Sequence, residues 1–482
     1  MFDKLIKMIG NTPGKKQNVL SIEELAQFLN TSPKAFEAFE NAYKTAENED
    51  GATKNFFECS KKDIDKNYKS NTIMPNTKAE QEIMAENIIY RIVQELLNQT
   101  EMWSYDREKI QCSYQNENKT HVNPVTSEEI ANLPEHLRPQ LTGSLMRVDI
   151  KQPSSLVIFY NLKRFQETGD IAYYHRFRQG LDILDLDPIT YETLSCNKNS
   201  MSNWLPGLVN ANTGNDFFKI PSTKIIKVPM TLLQLTHLPY SLIASSSTTT
   251  KILNDFVFKA FGLDTARDYF VKTGTYSSKF DFRNAHVHGE KEVKELGEYL
   301  AFIHSQALEM ASPLNTPSIY GVSTTNEWVV REFIKDKENS PCIYHGLPLH
   351  TEFRVFVDFN TQKVLSIENY WKPEVMEKRF AEKRGSGIDD THDAVTYAMN
   401  KERLVSSYEK HKNLVMKKIA QLLPGLSLYL DGQWSIDIML NGDDFWIIDM
   451  ALAEESAYYE SVPEEKRIKS NTSWIPKLPE TL

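Results

Sequence analysis

Two aspartates sit alone among apolar residues towards the C-terminal end of the chain. Asp437 lies in Trp434-Ser435-Ile436-Asp437-Ile438-Met439-Leu440, and Asp449 in Phe445-Trp446-Ile447-Ile448-Asp449-Met450. Asn441-Gly442-Asp443-Asp444 joins the two runs, and Asn-Gly between β-formers is the strongest short-range hairpin signal. A lone carboxylate in a buried strand is costly unless it is paired or bound to a cation. Paired strands bring the two acids together across the ladder, where their repulsion calls for something positive between them. Hard oxygen donors of this kind suit Mg²⁺, which takes one or two carboxylates plus substrate phosphates. The competing reading is two strand-end aspartates capping turns.

Cations lie upstream. Residues 268–272 read as a strand ending in Lys272, followed by a loop, 273–279, that holds Gly274, Ser277, Ser278 and Lys279. Glycine, hydroxyls and backbone N–H groups in such a loop wrap phosphate oxygens, and a lysine adds a point charge. The Gly-Lys-[Ser/Thr] ending of a Walker A loop is missing, so an ordinary turn with exposed lysines competes. Arg331 lies inside the apolar strand 327–334. Arg354 lies in strand 350–359, where it shares a face with Glu352 against Phe353, Val355 and Val357. An arginine inside an apolar strand needs an acidic or phosphate partner.

The elements that must position these groups are legible around them. The run Ser245–Thr250 caps a helix over 251–261 that closes at Gly262. Residues 224–228 and 232–235 have strand composition. A helix over 290–310 carries Leu296, Leu300, Ile303 and His304 on one face, with His304 read as a satisfied core or surface histidine rather than a ligand. Residues 364–367 pair with 350–359 as a hairpin. Residues 374–400 are charged and polar and read as a mobile stretch around Gly385-Ser386-Gly387, before a long helix over 401–423. Upstream, capping signals at Ser21 with Glu24 and at Ser32-Pro33 open two helices, and a third covers 79–102. Residues 105–124 read as a linker or long loop, Thr126 with Glu129 as another capping box, 155–160 as a strand, and the basic run 175–180 as a solvated helix end, with an anion-facing run the alternative. The division that follows is a helical N-terminal module at 1–120, an α/β region at 121–247 and a nucleotide-binding region at 248–482.

The chain has 482 residues, room for about three domains, with 40% hydrophobic and 25% charged residues. A net charge of −10 argues against a general binder of nucleic acid or of an anionic membrane. Cys59, Cys112, Cys196 and Cys342 are far apart and form no Cys-x-x-Cys, which argues against a thiol zinc site and a disulfide framework. The N-terminal apolar stretch is too short for a signal peptide. No run approaches the ~20 apolar residues of a membrane span. A cytoplasmic protein is the expectation.

Taken in order, these motifs resemble the ATP-grasp superfamily. The likeness is to its divergent clade with two arginines and a lysine, which includes the eukaryotic cell-division-cycle ATP-grasp that assembles a translation initiation factor. The residues that carry it are Lys272 with Ser277-Ser278, Arg331 in Val-Val-Arg-Glu-Phe-Ile, Arg354 in Glu-Phe-Arg-Val-Phe-Val, and Asp437 with Asp449. They span about 248–460, less than half the chain. The resemblance implies an α+β fold with a nucleotide cleft between two subdomains, preceded by the helical module. It implies ATP and Mg²⁺ as cofactors. Lys251, Lys272, Ser277 and Ser278 would meet the phosphates. Glu332, Phe333 and Ile334 would meet adenine through backbone groups. Arg331 and Arg354 would steady the γ-phosphate or an acyl-phosphate, and Asp437 and Asp449 would hold the metal. The family's last metal strand reads acid-x-Asn, whereas here it reads Asp449-Met450-Ala451. Glu454 is expected to take the place of the missing ligand, with Glu455 the neighbouring option.

Two functions are consistent with that set. One is an ATP-dependent carboxylate–amine ligase that works through an acyl-phosphate, with a protein or peptide among its candidate substrates. The other is a non-catalytic nucleotide-binding assembly or adaptor protein. The complete Lys, Arg and Asp positions favour the first, and Ala451 favours the second.

Overall fold

The computed structural model describes residues 77–115, 119–139, 168–170, 194–195, 197–236, 240–311, 325–385 and 390–468. The helices expected at 21–43, the strand at 155–160 and the basic run at 175–180 lie outside the described residues. Among the described residues the fold is α+β, built on two main sheets that are antiparallel except for one short parallel edge pairing in the second.

Among the described residues the first sheet has six strands, in the order β2-β1-β4-β7-β5-β6. They are β1 (Glu101–Asp106), β2 (Gln111–Gln115), β4 (Thr223–Lys227), β5 (Tyr269–Thr273), β6 (His286–Val287) and β7 (Glu327–Glu332). Strict alternation divides its residues. Ile226, Val271, Trp328 and Val330 face one core, while Ile225 and Val329 face another. The first core is covered by helices α1 (Lys78–Asn98), α3 (Ser247–Phe261) and α4 (Leu296–Ala311), through Ile88, Ile92, Phe256, Leu300 and Ile303. Complete burial of each such side chain contributes about 1.5–3 kcal/mol. His304 is a core residue, and its Nδ1 accepts from the Trp328 indole at 3.3 Å.

The second sheet runs β11-β10-β12-β13-β3, with β3 (Phe218–Lys219), β10 (Thr351–Asp358), β11 (Lys363–Asn369), β12 (Gln433–Asn441) and β13 (Asp444–Leu452). Phe353, Val355, Ile436 and Ile438 pack with helix α2 (Met201–Ala211) and the long helix α6 (Thr391–Leu426). β12 and β13 form the expected hairpin, with Asn441 opposite Asp444 and Gly442 at φ +64°, a left-handed turn position that favours glycine. A two-stranded ribbon, β8 (Cys342–Ile343) with β9 (Leu347–Pro348), lies near a third core that also holds helix α5 (Pro373–Gly385).

Four expectations need correction. Residues 105–124 are not simply a linker, because they contain the turn and second strand of the β1–β2 hairpin. β2 lies at the sheet edge with most of its side chains exposed, so polar residues are what its position demands. Residues 232–235 belong to a short helix, Met230–Leu235, whose first N–H groups turn back to Pro229. A short apolar run does not separate strand from helix. The helix expected over 290–310 breaks at Glu295 into two. Residues 374–400 are largely helical: α5 covers their first part, and α6 begins at Thr391. Met376, Phe380, Ala394 and Tyr397 anchor both helices in the third core. Since β1, β4, β5 and β7 share one sheet, that sheet crosses both expected domain boundaries, at 120/121 and 247/248.

Candidate functional site

In the first sheet, Phe270 stands opposite Arg331 and Lys272 opposite Val329. Phe270, Lys272 and Arg331 therefore share the face turned away from the helix-covered core. In the second sheet, Glu368, Arg354, Asp437 and Asp449 form one cross-strand row over β11, β10, β12 and β13. The last member of the row depends on a β-bulge. Asp437 pairs with Asp449 but Ile438 pairs with Ile447, which leaves Ile448 unopposed. Without that extra residue, alternation would turn Asp449 to the other face. The bulged Ile448 carbonyl accepts a hydrogen bond from Arg331 Nη1, which ties the two sheets together.

Each acid is held by a cation. Lys272 Nζ lies 2.9 and 3.1 Å from the two oxygens of Asp449. Arg354 grips Asp437 with two parallel bonds, Nε to Oδ1 at 2.8 Å and Nη2 to Oδ2 at 2.6 Å. Burial works against the Arg354 charge, but Asp437 outweighs it and holds the guanidinium above its ordinary range. Lys272 is only 2% exposed. Burial pushes its ammonium below the usual lysine range despite the pull of Asp449. Arg331 is pushed down to about 10 by burial, against the pull of Asp449 and Glu332. Its Nε donates to Thr223 Oγ1 at 3.0 Å, and its Nη2 is buried without a partner.

Two chambers open on these groups. The larger, about 640 Å³, is lined by Arg354, Asp437, Asp449, Ser277 and Lys279, with Tyr370, Arg379, Glu455 and Asn199 further round. The smaller, about 120 Å³, has apolar walls from Phe270, Phe282, Phe333, Ile334, Leu347 and Met439, and is also lined by Lys272 and Arg331. Ser277, Lys279, Asp437 and Asp449 line both chambers and mark their junction. Glu332, Phe333 and Ile334 all line the smaller one. The Phe333 N–H donates to Asp268 O at 3.3 Å, while Ile334 makes no backbone hydrogen bond among the described residues. The loop after β5 is tightly seated, since a Cβ on Gly274 would come within 2.8 Å of Glu327 Oε2.

Three expected site residues lie elsewhere. Lys251 is 41% exposed and bridges Asp255 at 3.2 Å and Glu86 at 3.6 Å. It lines neither chamber, because α3 turns Ile252 and Phe256 to the core. Ser278 is buried with its Oγ 3.4 Å from Asn284 Nδ2, and lines neither chamber. Glu454 lines neither as well. A 3₁₀ turn, Ala453–Glu455, follows β13 and sends successive side chains in different directions. Glu455 is the one that reaches the larger chamber, where it accepts from Asn199 Nδ2.

Further lining residues were given no site role from the sequence. Lys279, read as an exposed turn lysine, sits 4.4 Å from the Tyr370 ring. Burial opposes its charge, yet Tyr370, Glu352 and Asp437 hold it above the usual lysine range. Burial pushes the Glu352 carboxyl up to about 7, with Lys279 and Arg354 pulling down and Asp437 pushing up. Alternation with Phe353 had already set it on the face of Arg354, without giving it a role. His350, Tyr370 and Asn199 carried no such signal.

Among the described residues, no group of three or more His, Cys, Asp and Glu side chains is arranged to hold a metal. Asp437 and Asp449 supply two hard carboxylates on one chamber wall. That donor set fits a divalent cation whose other positions are filled by water and phosphate oxygens.

No protein-family profile matches the chain, and no curated protein matches it. Two solved structures of Cdc123 from Schizosaccharomyces pombe are similar to it. The C-terminally truncated form is 16% identical with a TM-score of 0.31, covering 57% of this chain and 94% of that one. The other has the same identity and TM-score, covering 56% and 95%. No residue role is carried over from that overlap. No helix among the described residues is long and apolar enough to cross a membrane.

Proposed function

We propose that the paired chambers form an ATP-grasp cleft for a magnesium-bound nucleoside triphosphate, and that the protein is an ATP-dependent carboxylate–amine ligase. The carrying observation is the junction itself: an apolar slot runs into a chamber whose wall holds two acids, with Lys272, Lys279, Arg331 and Arg354 close by. The base occupies the slot against Phe333 and Ile334. The phosphates pass the junction beside Lys272, Lys279 and Arg331, which line the smaller chamber. Mg²⁺, when bound through Asp437 and Asp449, neutralises phosphate charge. The larger chamber leaves room beyond the terminal phosphate for a second substrate.

The chemistry needs positioning and charge neutralisation rather than a protein nucleophile. A substrate carboxylate oxygen attacks the γ-phosphorus and ADP leaves. The acceptor amine then attacks the acyl carbon, phosphate departs and the nitrogen loses its proton. Arg354, with its planar fork on the chamber wall, is placed to grip the phosphoryl oxygens once its hold on Asp437 is shared. A second reading, an assembly or adaptor protein that binds nucleotide without turnover, is favoured by Ala451, which cannot ligate a metal. Both acids being fully engaged by cations supports it too.

Product analysis separates the two readings. With cell extract as a source of acceptors, the ligase converts ATP to ADP and phosphate. Tight Mg-ATP binding with no nucleotide product would establish the adaptor, and AMP with pyrophosphate would reject the ATP-grasp mechanism.

A further inference from the structure

The two acids of the cleft are held unequally. Arg354 covers both oxygens of Asp437 with Nε and Nη2, and the two side chains are only 11% and 8% exposed. The arginine is itself fixed. Its Nη1 donates to Ala457 O at 3.3 Å, and its guanidinium carbon lies 4.9 Å from the centre of the Tyr370 ring. Asp449 is more open, with its side chain 38% exposed beside Lys272. A cation arriving alone from the larger chamber therefore meets one accessible carboxylate. The second, Asp437, is closed by the guanidinium.

What it takes to open that pair depends on what arrives. A free divalent cation that took Asp437 would leave Arg354 buried without an anion. A metal-free polyphosphate that took Arg354 would leave Asp437 buried without a cation and facing further negative charge. Both are strongly unfavourable, because each strands a buried charge. A metal already bound to a polyphosphate avoids both outcomes. Asp437 turns to the metal, Arg354 turns to the phosphate oxygens, and each buried charge keeps an opposite one. We propose that the Arg354–Asp437 pair is a latch, an autoinhibitory contact that shuts the cleft to a free divalent cation and opens to a metal–polyphosphate complex. The latch rests on the nucleotide reading above, and it makes cation and polyphosphate binding reciprocally cooperative.

The test uses Mn²⁺, which shares the oxygen-ligand preference of Mg²⁺ and is counted directly by electron paramagnetic resonance. Free Mn²⁺ is titrated, without nucleotide, into the wild-type protein, Arg354→Gln, Arg354→Lys and the double variant Arg354→Lys/Asp437→Asn. Arg354→Gln removes the positive charge. Arg354→Lys keeps it beside Asp437 but gives up the planar fork, so it separates a latch from simple repulsion of the cation. If Arg354→Gln does not fold, Arg354→Lys decides alone. The wild-type protein should bind free Mn²⁺ weakly. Both single variants should bind it about ten-fold or more tightly, within the range of coupling between sites, and Asp437→Asn should cancel the gain. Equal Mn²⁺ affinity in the wild type and Arg354→Lys overturns the proposal, even if Arg354→Gln gains, since the arginine would then only repel cations. A gain that survives Asp437→Asn overturns it too. Calorimetry of the wild-type protein with Mg-ATP keeps the two readings apart. Mg-ATP binding with no gain of Mn²⁺ in Arg354→Lys removes the latch and leaves the nucleotide cleft. A gain of Mn²⁺ with no Mg-ATP binding leaves the latch and removes the nucleotide.

Discussion

Replacing Lys272 with methionine keeps the aliphatic stem and removes the ammonium. Asp449 is then left without its cation, directly opposite Asp437. Removing one partner of a buried pair typically costs about 3–5 kcal/mol. Lys272 is almost wholly buried, but the Asp449 side chain is 38% exposed and water covers part of the loss. The lower end, about 3 kcal/mol, is the expected destabilisation. Adding Asp449→Asn removes the stranded charge and should return most of it. Nucleotide binding gives the second readout. Loss of one preorganised donor to phosphate costs about 2–4 kcal/mol, so Mg-ATP affinity should fall by roughly 30- to 1000-fold. The control is Lys251→Ala, whose exposed ion pairs are each worth about 0–1 kcal/mol and which lines neither chamber. Urea unfolding and calorimetry on the four proteins settle the matter. The reasoning is refuted if Lys272→Met is no more destabilising than Lys251→Ala, or if a folded Lys272→Met protein binds Mg-ATP as the wild type does.

Two further outcomes are expected. Glu352 has its folded pKa raised from 4.5 to about 7, so the native state holds a proton that the unfolded chain has released. Its contribution therefore lowers stability as pH rises from about 4.5 to 7, by up to about 3 kcal/mol, and the loss persists above that window. Glu352→Gln should flatten that part of the profile in unfolding measurements from pH 4 to 8, and parallel profiles would contradict it. Arg354→Lys keeps the charge but loses the fork that holds two oxygens. Steady-state turnover should fall far more than Mg-ATP affinity, and equal losses would reduce Arg354 to a simple counter-charge.

How much of this was legible depended on whether the signal was local. The β12–β13 hairpin announces itself through Asn441-Gly442 and two β-rich runs, and it emerged as expected. The helix α3 followed from its capping run and its closing glycine, Gly262, and the strand carrying Lys272 emerged as expected. Residues 374–400 misled because charged residues are good helix formers, and only a few apolar positions, such as Met376 and Phe380, reveal packing. The meeting of Asp437 with Asp449 depends on a bulge at Ile448, which no local pattern encodes. His350 and Asn199 reach the cleft from segments whose own sequence is unremarkable. Lys251 and Glu454 were misplaced by single-residue questions of phase: one helical position decides between core and solvent, and one step round a 3₁₀ turn decides between Glu454 and Glu455.

The central claim is that the two chambers hold one magnesium-bound triphosphate. Calorimetry of the wild-type protein with ATP, with and without Mg²⁺, tests it most directly. The account predicts one site per chain, with affinity that falls sharply when Mg²⁺ is omitted. An absence of binding under both conditions, or an affinity that Mg²⁺ does not change, would contradict it.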